Sequence, residues 1–374
     1  MAGIYLHIPF CKTRCVYCDF YSITNEELIN SFVDAICIEL KNRKTDINEP
    51  AKTIYFGGGT PTRLNKQHFE KIFNSLDDHY NVETDAEITI EANPDDLSEK
   101  YINDLSSLPF NRISIGIQSF NDNELKFLSR RHSAKQAADA VNNCQKAGFK
   151  DISIDLMYGL PGQTMQIWKD NLKQACSLDI QHISAYHLIY EEKTRLYTLL
   201  RAGKVSPVNE DLSNEMFQTL IDTLTENHFI HYEISNFAKD GFYSRHNSSY
   251  WSGDPYIGVG PAAHSFDGDN RTWNIASLSK YISAVNTGNM VRETEHLSLE
   301  QKYNEAILTG LRTMWGVDLN GLKTKFGNNL YQYCVNNAQK FIEENLLKIE
   351  DGNLKLTQKG IFISDGIMSE LMNV

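Results

Sequence analysis

Short apolar runs alternate with amphipathic stretches through the first half of the chain. Residues 4–7, 53–56, 86–91, 112–117, 152–155 and 182–187 read as strands. Between them, apolar positions recur at helical spacing and several helix starts are readable. Thr24 with Glu27, and Asn121 with Glu124, have the spacing of capping boxes; Ser133 opens a helix that Gly148 closes, and Thr164 stands near another start. This alternation predicts an α/β fold with a mostly parallel sheet, and six strands imply an open barrel of the (β/α)6 kind. From about Glu210 the alternation fades. A helix over 210–227 leads into an apolar stretch at 230–237, a loop carrying His246-Asn247-Ser248-Ser249-Tyr250-Trp251, and the glycine-rich Gly258-Val259-Gly260-Pro261. Beyond Ser298 come helices, a hairpin of 347–349 with 354–356 around Asp351-Gly352, and a last helix capped by Thr357, the outline of a winged-helix-like α+β module. The chain thus divides into a partial-barrel domain at 1–209 and a C-terminal domain at 210–374, with the winged-helix-like part at about 298–374.

Composition narrows what such a fold can do. At 374 residues the chain can bury one large core and carry a second module. A formal net charge of −12 disfavours nucleic acid as a partner, because phosphate binding needs a basic face. The winged-helix-like part is therefore expected to serve as a lid or a protein-docking unit. No apolar run approaches the roughly 20 residues that span a bilayer. The opening MAGIYLHIPF has neither a basic region nor a cleavage site, so a cytoplasmic location is expected.

Chemistry concentrates where strands end. Cys11, Cys15 and Cys18 lie in HIPFCKTRCVYCDF, directly after the first strand. Three thiolates at this spacing can hold three irons of a [4Fe-4S] cluster and leave the fourth open to a small molecule. Lys12, Thr13, Arg14 and Asp19 around them do not read as core. Cys37, Cys144, Cys176 and Cys334 lie in apolar helical settings and read as small buried residues. The other strands finish on His7, Gly57-Gly58-Gly59-Thr60-Pro61, Glu91, Gln118, Asp155 and His187. In a barrel of parallel strands these ends converge on one mouth. A glycine triplet alone is more often a tight turn, but beside a cluster loop it offers close approach and backbone N–H groups to a ligand. The stretch Tyr158 to Thr164 reads as a structural βα turn.

With these residues in view, the chain resembles the radical S-adenosylmethionine (SAM) superfamily, in which C-x3-C-x2-C follows the first strand and GGGTP the second. HIPFCxxxCxYCDF, GIQSF, DLMYGLPGQT and HNSSYW are similar to the HemN/HemW group over nearly the whole chain. The resemblance implies a radical SAM partial barrel and reductive cleavage of SAM at the open iron, giving a deoxyadenosyl radical. It makes Cys11, Cys15 and Cys18 the cluster ligands. Tyr5, Gly58 and Glu91 match residues around the iron-chelating SAM. Gly59, Thr60, Gln118, Arg130 and Asp155 line the same pocket, assigned in the oxidase branch to a second SAM. Tyr17 fills the aromatic position before the last cluster cysteine. Asp155 or Glu91 suits ribose hydroxyls or an amino group, and Arg130 a carboxylate; read without the resemblance, Arg130 is a solvated helix-end charge beside Arg131 and His132.

Two functions compete within the group: oxygen-independent coproporphyrinogen III oxidase, which removes two propionate carboxylates, and a heme chaperone that retains the cluster and SAM pocket. Three features favour the chaperone branch. Phe20 stands where the oxidase branch has a further cysteine, only ten residues precede Cys11, and His246 to Trp251 match the HNxxYW motif associated with heme. A histidine can ligate heme iron, and Tyr250 and Trp251 can pack on a porphyrin face. On the residues alone, aromatics packed inward and an ordinary hydrogen bond from His246 are the preferred reading; the resemblance turns the preference to heme contact, with iron ligation by His246 left open. It also implies acceptor hemoproteins, among them membrane-associated respiratory enzymes, hence peripheral membrane contact, and a homodimer.

Overall fold

The computed structural model describes residues 2–47, 49–289 and 292–373. All six expected strands form, most of them longer at one or both ends: β1 (Ala2–Ile8), β2 (Ala51–Gly58), β3 (Val82–Ala92), β4 (Arg112–Gln118), β5 (Asp151–Tyr158) and β6 (His182–His187). Each pairs in parallel with the next. Their residues alternate between two faces, as strand geometry requires. Ile4, Leu6 and Ile8, then Ile54 and Phe56, then Ile113, Ile115 and Ile117 face outward into one apolar core with the helices Ile29–Asn42, Lys66–His79, Ala134–Lys146 and Met165–Ser177. The opposite, inner face is polar: Tyr5 and His7, Thr53 and Tyr55, Glu87, Thr89 and Glu91, Arg112 and Ser114, Ser153 and Asp155, His182 and Ser184. A barrel lined this way is built to hold something other than its own core.

The sheet does not stop at six strands. On one side β6 pairs with Asn236–Ala238, which turns back on Ile230–Glu233; on the other, Tyr256–Val259 runs parallel to β1 and continues through His264–Phe266, Asn270–Asn274 and Arg292–His296. Segments on both sides of position 210 therefore share one twelve-stranded sheet. A buried ion pair locks this extension. Glu39 accepts from Arg43, Gly260 N, Asn274 and Tyr281, and Arg43 donates to Gly258 O and Ser265.

The last portion builds its own core from Tyr303, Ile307, Leu322, Cys334, Phe341, Leu354 and Met368. Helices Leu299–Leu311 and Leu319–Glu343 flank a three-stranded sheet of Val317–Asp318, Leu347–Glu350 and Asn353–Leu356. The hairpin turn is the expected one, with Asp351 and Gly352 both at positive φ (52° and 78°). This module is stitched to the barrel. Ile234 N donates to Arg312 O and Met314 N to Tyr232 O, while Arg312 pairs with buried Glu233 at 2.8 Å.

Local signals held where nothing tertiary competed. Ser133 and Gln136 form a capping box, and Asn209, Thr164 and Thr357 cap their helices. Three expectations are corrected. The Thr24–Glu27 box does not form: the helix starts at Ile29, because Ile23 is drawn into backbone bonds with Pro9 and Cys11 and Asn25 takes the Glu27 N–H. Asn121 caps its helix, but Glu124 turns away to Ser119 and Asn171 rather than closing the box. The HNSSYW stretch is a helix, Arg245–Trp251, capped by Ser244. Cys144 and Cys334 are fully buried as expected, whereas Cys37 and Cys176 are only half-buried. Among the described residues no helix is long and apolar enough to cross a membrane.

Candidate functional site

The cysteine loop leaves β1 at the mouth and is clamped on both sides. Cys11 N donates to Ile23 O and Ile23 N to Pro9 O; Val16 N donates to Leu128 O, and Leu196 N to Val16 O. Val16 sinks into an apolar cluster with Leu128, Met157, Leu160, Leu188 and Leu196, with Tyr17 packed against it. Cys11 is buried, while Cys15 and Cys18 are half-buried. Thr60 Oγ1 donates to Cys11 Sγ at 3.5 Å and Arg130 Nη1 to Cys15 Sγ at 3.4 Å. Burial pushes the Cys11 thiol up and the Cys18 thiol up to about 11. Thiolates here thus need positive charge beside them, which iron would supply. Among the described residues no three His, Cys, Asp or Glu side chains are grouped as a single metal ion needs. A cluster, which takes one cysteine per iron, is the group this loop fits.

The remaining candidates ring the same mouth. A side chain on Gly57 would strike the Tyr55 ring at 2.7 Å and Glu91 at 3.1 Å, and Gly58 sits at φ +106° with the His7 ring where its Cβ would go. A Cβ on Gly59 would come within 2.9 Å of both the Ile8 and Phe10 carbonyls. Glu91 accepts from Tyr55 Oη at 2.7 Å and from Gly58 N at 3.1 Å. Burial, with Asp155 nearby, raises its carboxyl to about 7; burial likewise raises Asp155 to about 6, against a hydrogen bond from Ser114. Two inward carboxyls that burial holds up near neutrality, with Arg130 and Arg112 offsetting it only in part at Asp155, suit a cationic ligand. Gln118 ends β4 at φ +69°, a strained conformation for a non-glycine residue and one that recurs at ligand sites. Arg130 is no solvated end charge. Besides Cys15 it donates to Asn93 Oδ1 and Gly116 O, and Asn93 in turn donates to Thr60 Oγ1. Tyr5 Oη bonds His7 Nδ1 at 3.1 Å. A cavity of about 50 Å³ continues inward from Glu91 and Asp155, past Thr89, Ser153 and His182, to Ser244 and Asn247.

His246, Tyr250 and Trp251 are elsewhere. The Arg245–Trp251 helix plugs the opposite end of the barrel, its first N–H groups bonded to Glu87: Arg245 N at 2.8 Å and His246 N at 2.9 Å. His246 is 1% exposed, with Nδ1 on Thr53 Oγ1 and Nε2 on Tyr250 Oη, both at 2.8 Å. Burial lowers its pKa to about 3, so the ring is neutral and neither nitrogen is free. Trp251 lies under the Arg312 guanidinium at 5.1 Å, tying this floor to the C-terminal module. His187 also leaves the mouth, turning outward to Ser213.

Known proteins resemble this chain. Residues 5–175 match the Radical SAM superfamily and residues 297–363 the HemN C-terminal domain. The chain is 34% identical to the Bacillus subtilis protein named heme chaperone HemW, over 100% of this chain and 99% of that one. It is 33% identical to heme chaperone HemW of Lactococcus lactis, over 98% and 96%. The chain belongs to the HemW family. A bovine mitochondrial relative, radical S-adenosyl methionine domain-containing protein 1, is 30% identical over 100% of this chain and 87% of its own length. The fold of HemN, the Escherichia coli coproporphyrinogen III oxidase, covers 100% of this chain and 90% of that one at a TM-score of 0.85 and 21% identity. A HemW-family chain is a radical SAM protein, and the cofactors of that superfamily, a [4Fe-4S] cluster and SAM, fit the mouth. Cys11, Cys15 and Cys18 would hold the cluster, and Glu91, Asp155 and the glycine backbone would receive the cationic SAM. When bound, the cluster supplies one-electron chemistry at an iron that no cysteine holds.

Sequence reasoning missed Tyr55, Asn93 and Glu87. Tyr55 and Glu87 are inward positions of β2 and β3, and the alternation Glu87-Ile88-Thr89-Ile90-Glu91 carried that signal. Asn93, two residues past Glu91, continues the same face.

Proposed function

We propose that this protein binds heme and passes it to acceptor hemoproteins, as a radical SAM protein whose 1–209 portion carries the cluster and SAM and whose 210–374 portion supplies the barrel floor and a docking module. The observation that carries this is the full-length likeness to proteins named heme chaperones, at 33–34% identity over 96–99% of their lengths. Phe20 adds support, standing where the oxidase branch has a cysteine. The protein works in the cytoplasm as a homodimer and meets membrane-associated respiratory acceptors at the membrane surface. Tyr5, Tyr17, Gly58, Gly59, Thr60, Gln118 and Arg130 complete the SAM and cluster surroundings. For His246, Tyr250 and Trp251 to touch heme, the floor helix must swing out of the barrel, because both imidazole nitrogens are taken while it is seated.

The test is paired. Protein with a reconstituted cluster is titrated with heme and separately given coproporphyrinogen III with SAM and a reductant. Tight heme binding without decarboxylation is expected, and transfer of that heme to an apo-hemoprotein completes the case. Steady formation of protoporphyrinogen would make the protein an oxidase instead.

A further inference from the structure

The floor helix reaches the mouth through one column of side chains. The His246 ring lies against Tyr55, with centroids 4.9 Å apart and planes at 21°, and Tyr5 packs beside both rings, 6.1 Å from Tyr55 and 6.3 Å from His246. Tyr55 Oη then donates to Glu91 Oε1 at 2.7 Å, and the other carboxylate oxygen receives Gly58 N. His246 itself is fixed from several sides: by Thr53 and Tyr250 on its nitrogens, by Glu87 on its backbone, and by Gly3, where a Cβ would come within 3.4 Å of the ring. Gly57 leaves room for the Tyr55 ring, which a Cβ there would meet at 2.7 Å.

We infer that His246 is a positioning residue for the SAM site: it holds Tyr55, and Tyr55 holds the Glu91 carboxylate. The inference rests on the reading of Glu91 as part of the SAM pocket and is separate from whether heme is the cargo. A carboxylate meant for a cationic ligand must be aimed before the ligand arrives, and a stacked phenol with a fixed hydroxyl does that. Removing the imidazole would leave Tyr55 free to tilt and Glu91 with the Gly58 N–H as its remaining donor. The motif residue would then act on SAM from the opposite end of the barrel.

The experiment uses full-length protein with a reconstituted, reduced cluster. SAM is titrated by the change it causes in the cluster's EPR spectrum, and heme by its Soret absorbance, in the wild type, Tyr55→Phe, His246→Ala, His246→Phe and the Tyr55→Phe/His246→Ala pair. Tyr55→Phe and His246→Ala should each weaken SAM about tenfold. The pair should weaken it little more than either alone, because both act on one carboxylate. His246→Phe, which keeps a flat ring on Tyr55, should restore SAM affinity to within about threefold of wild type. An unaltered SAM titration and EPR signal in His246→Ala overturns the inference, and a simultaneous loss of heme in that variant would return His246 to the role of heme contact. Failure of the wild type to bind heme would sink the chaperone reading and leave the SAM comparison standing. Where His246→Ala fails to hold a cluster, Thr53→Val decides: about threefold weaker SAM supports the inference and no change refutes it.

Discussion

The two ends of the barrel solve opposite problems with the same kind of residues. At the mouth, burial outweighs the stabilisation of the carboxyls, a glutamine is strained and glycine backbone faces inward. At the floor, the ionisable groups are matched: Glu87 by two helix N–H groups, His246 by two hydroxyls, His182 by Ser153 and Tyr232. Burying a carboxyl costs free energy that a cationic ligand can relieve, so the mouth stores a cost of that kind, whereas the floor's ionisable groups are hydrogen-bonded and its unmet polar atoms are the neutral Ser248 Oγ and Trp251 Nε1. One end is built to receive, the other to stay shut.

The most severe way to break the mouth is to remove a thiol. Cys15→Ala should abolish cluster assembly, read as loss of the iron-sulfur absorption and of bound iron, with the fold kept by circular dichroism. A stoichiometric cluster in that variant would show that the loop is not the iron site. Next comes Gly57→Leu, whose side chain must displace both the Tyr55 ring and Glu91. SAM binding should fall by far more than tenfold while thermal stability drops by about 1–3 kcal/mol, the usual cost of overpacking. Equal SAM affinity would place the ligand away from Glu91.

A third test separates the stored cost from ordinary destabilisation. The Glu91 carboxyl is raised to about 7, so between the usual carboxylate range and pH 7 the folded protein holds a proton that the unfolded chain has released. Stability of the SAM-free protein must then fall as pH rises through that window, by at most about 3 kcal/mol from this group. Glu91→Gln keeps the shape and removes the charge. Its melting temperature should exceed that of the wild type at pH 8 and approach it at pH 5. In the wild type, SAM should bind more tightly as pH climbs past 6 and 7, because the cation needs ionised Asp155 and Glu91. A variant that melts lower at both pH values would mean that the carboxylate is satisfied without a ligand.

Much of the mouth was legible in the sequence because each of its parts sits at the end of a strand, and strand ends follow from period and punctuation. The cysteine spacing, Gly57 to Thr60, Glu91 and Asp155 needed no knowledge of what lies across the barrel. The floor could not be read that way. Glu87 and Arg245 are 158 residues apart, and only their meeting explains why HNSSYW is a helix end turned inward rather than an exposed loop. The failed Thr24–Glu27 box has the same cause, a local preference overruled by the bond from Ile23 to the cysteine loop. Arg130 looked like a surface charge because its neighbours are Arg131 and His132, yet its guanidinium reaches Cys15, Asn93 and Gly116.

The gentlest perturbation bears most directly on whether the floor is as closed as it looks. The His246 imidazole is neutral, so it has one N–H and one lone pair, and Thr53 and Tyr250 must take complementary roles around it. Thr53 is wholly buried, and Thr53→Val keeps its shape while deleting the hydroxyl. One imidazole nitrogen is then stranded where water cannot reach it without the helix lifting. The expected loss is about 1–2 kcal/mol in denaturant unfolding, the penalty of one buried unpaired group. Amide exchange in residues 245–251 should quicken in step, with helices on the outer face of the barrel unaffected. If exchange there is already fast in the wild type and Thr53→Val changes neither quantity, the helix spends much of its time out of the barrel, His246 is open to a ligand, and the contrast between the two ends dissolves.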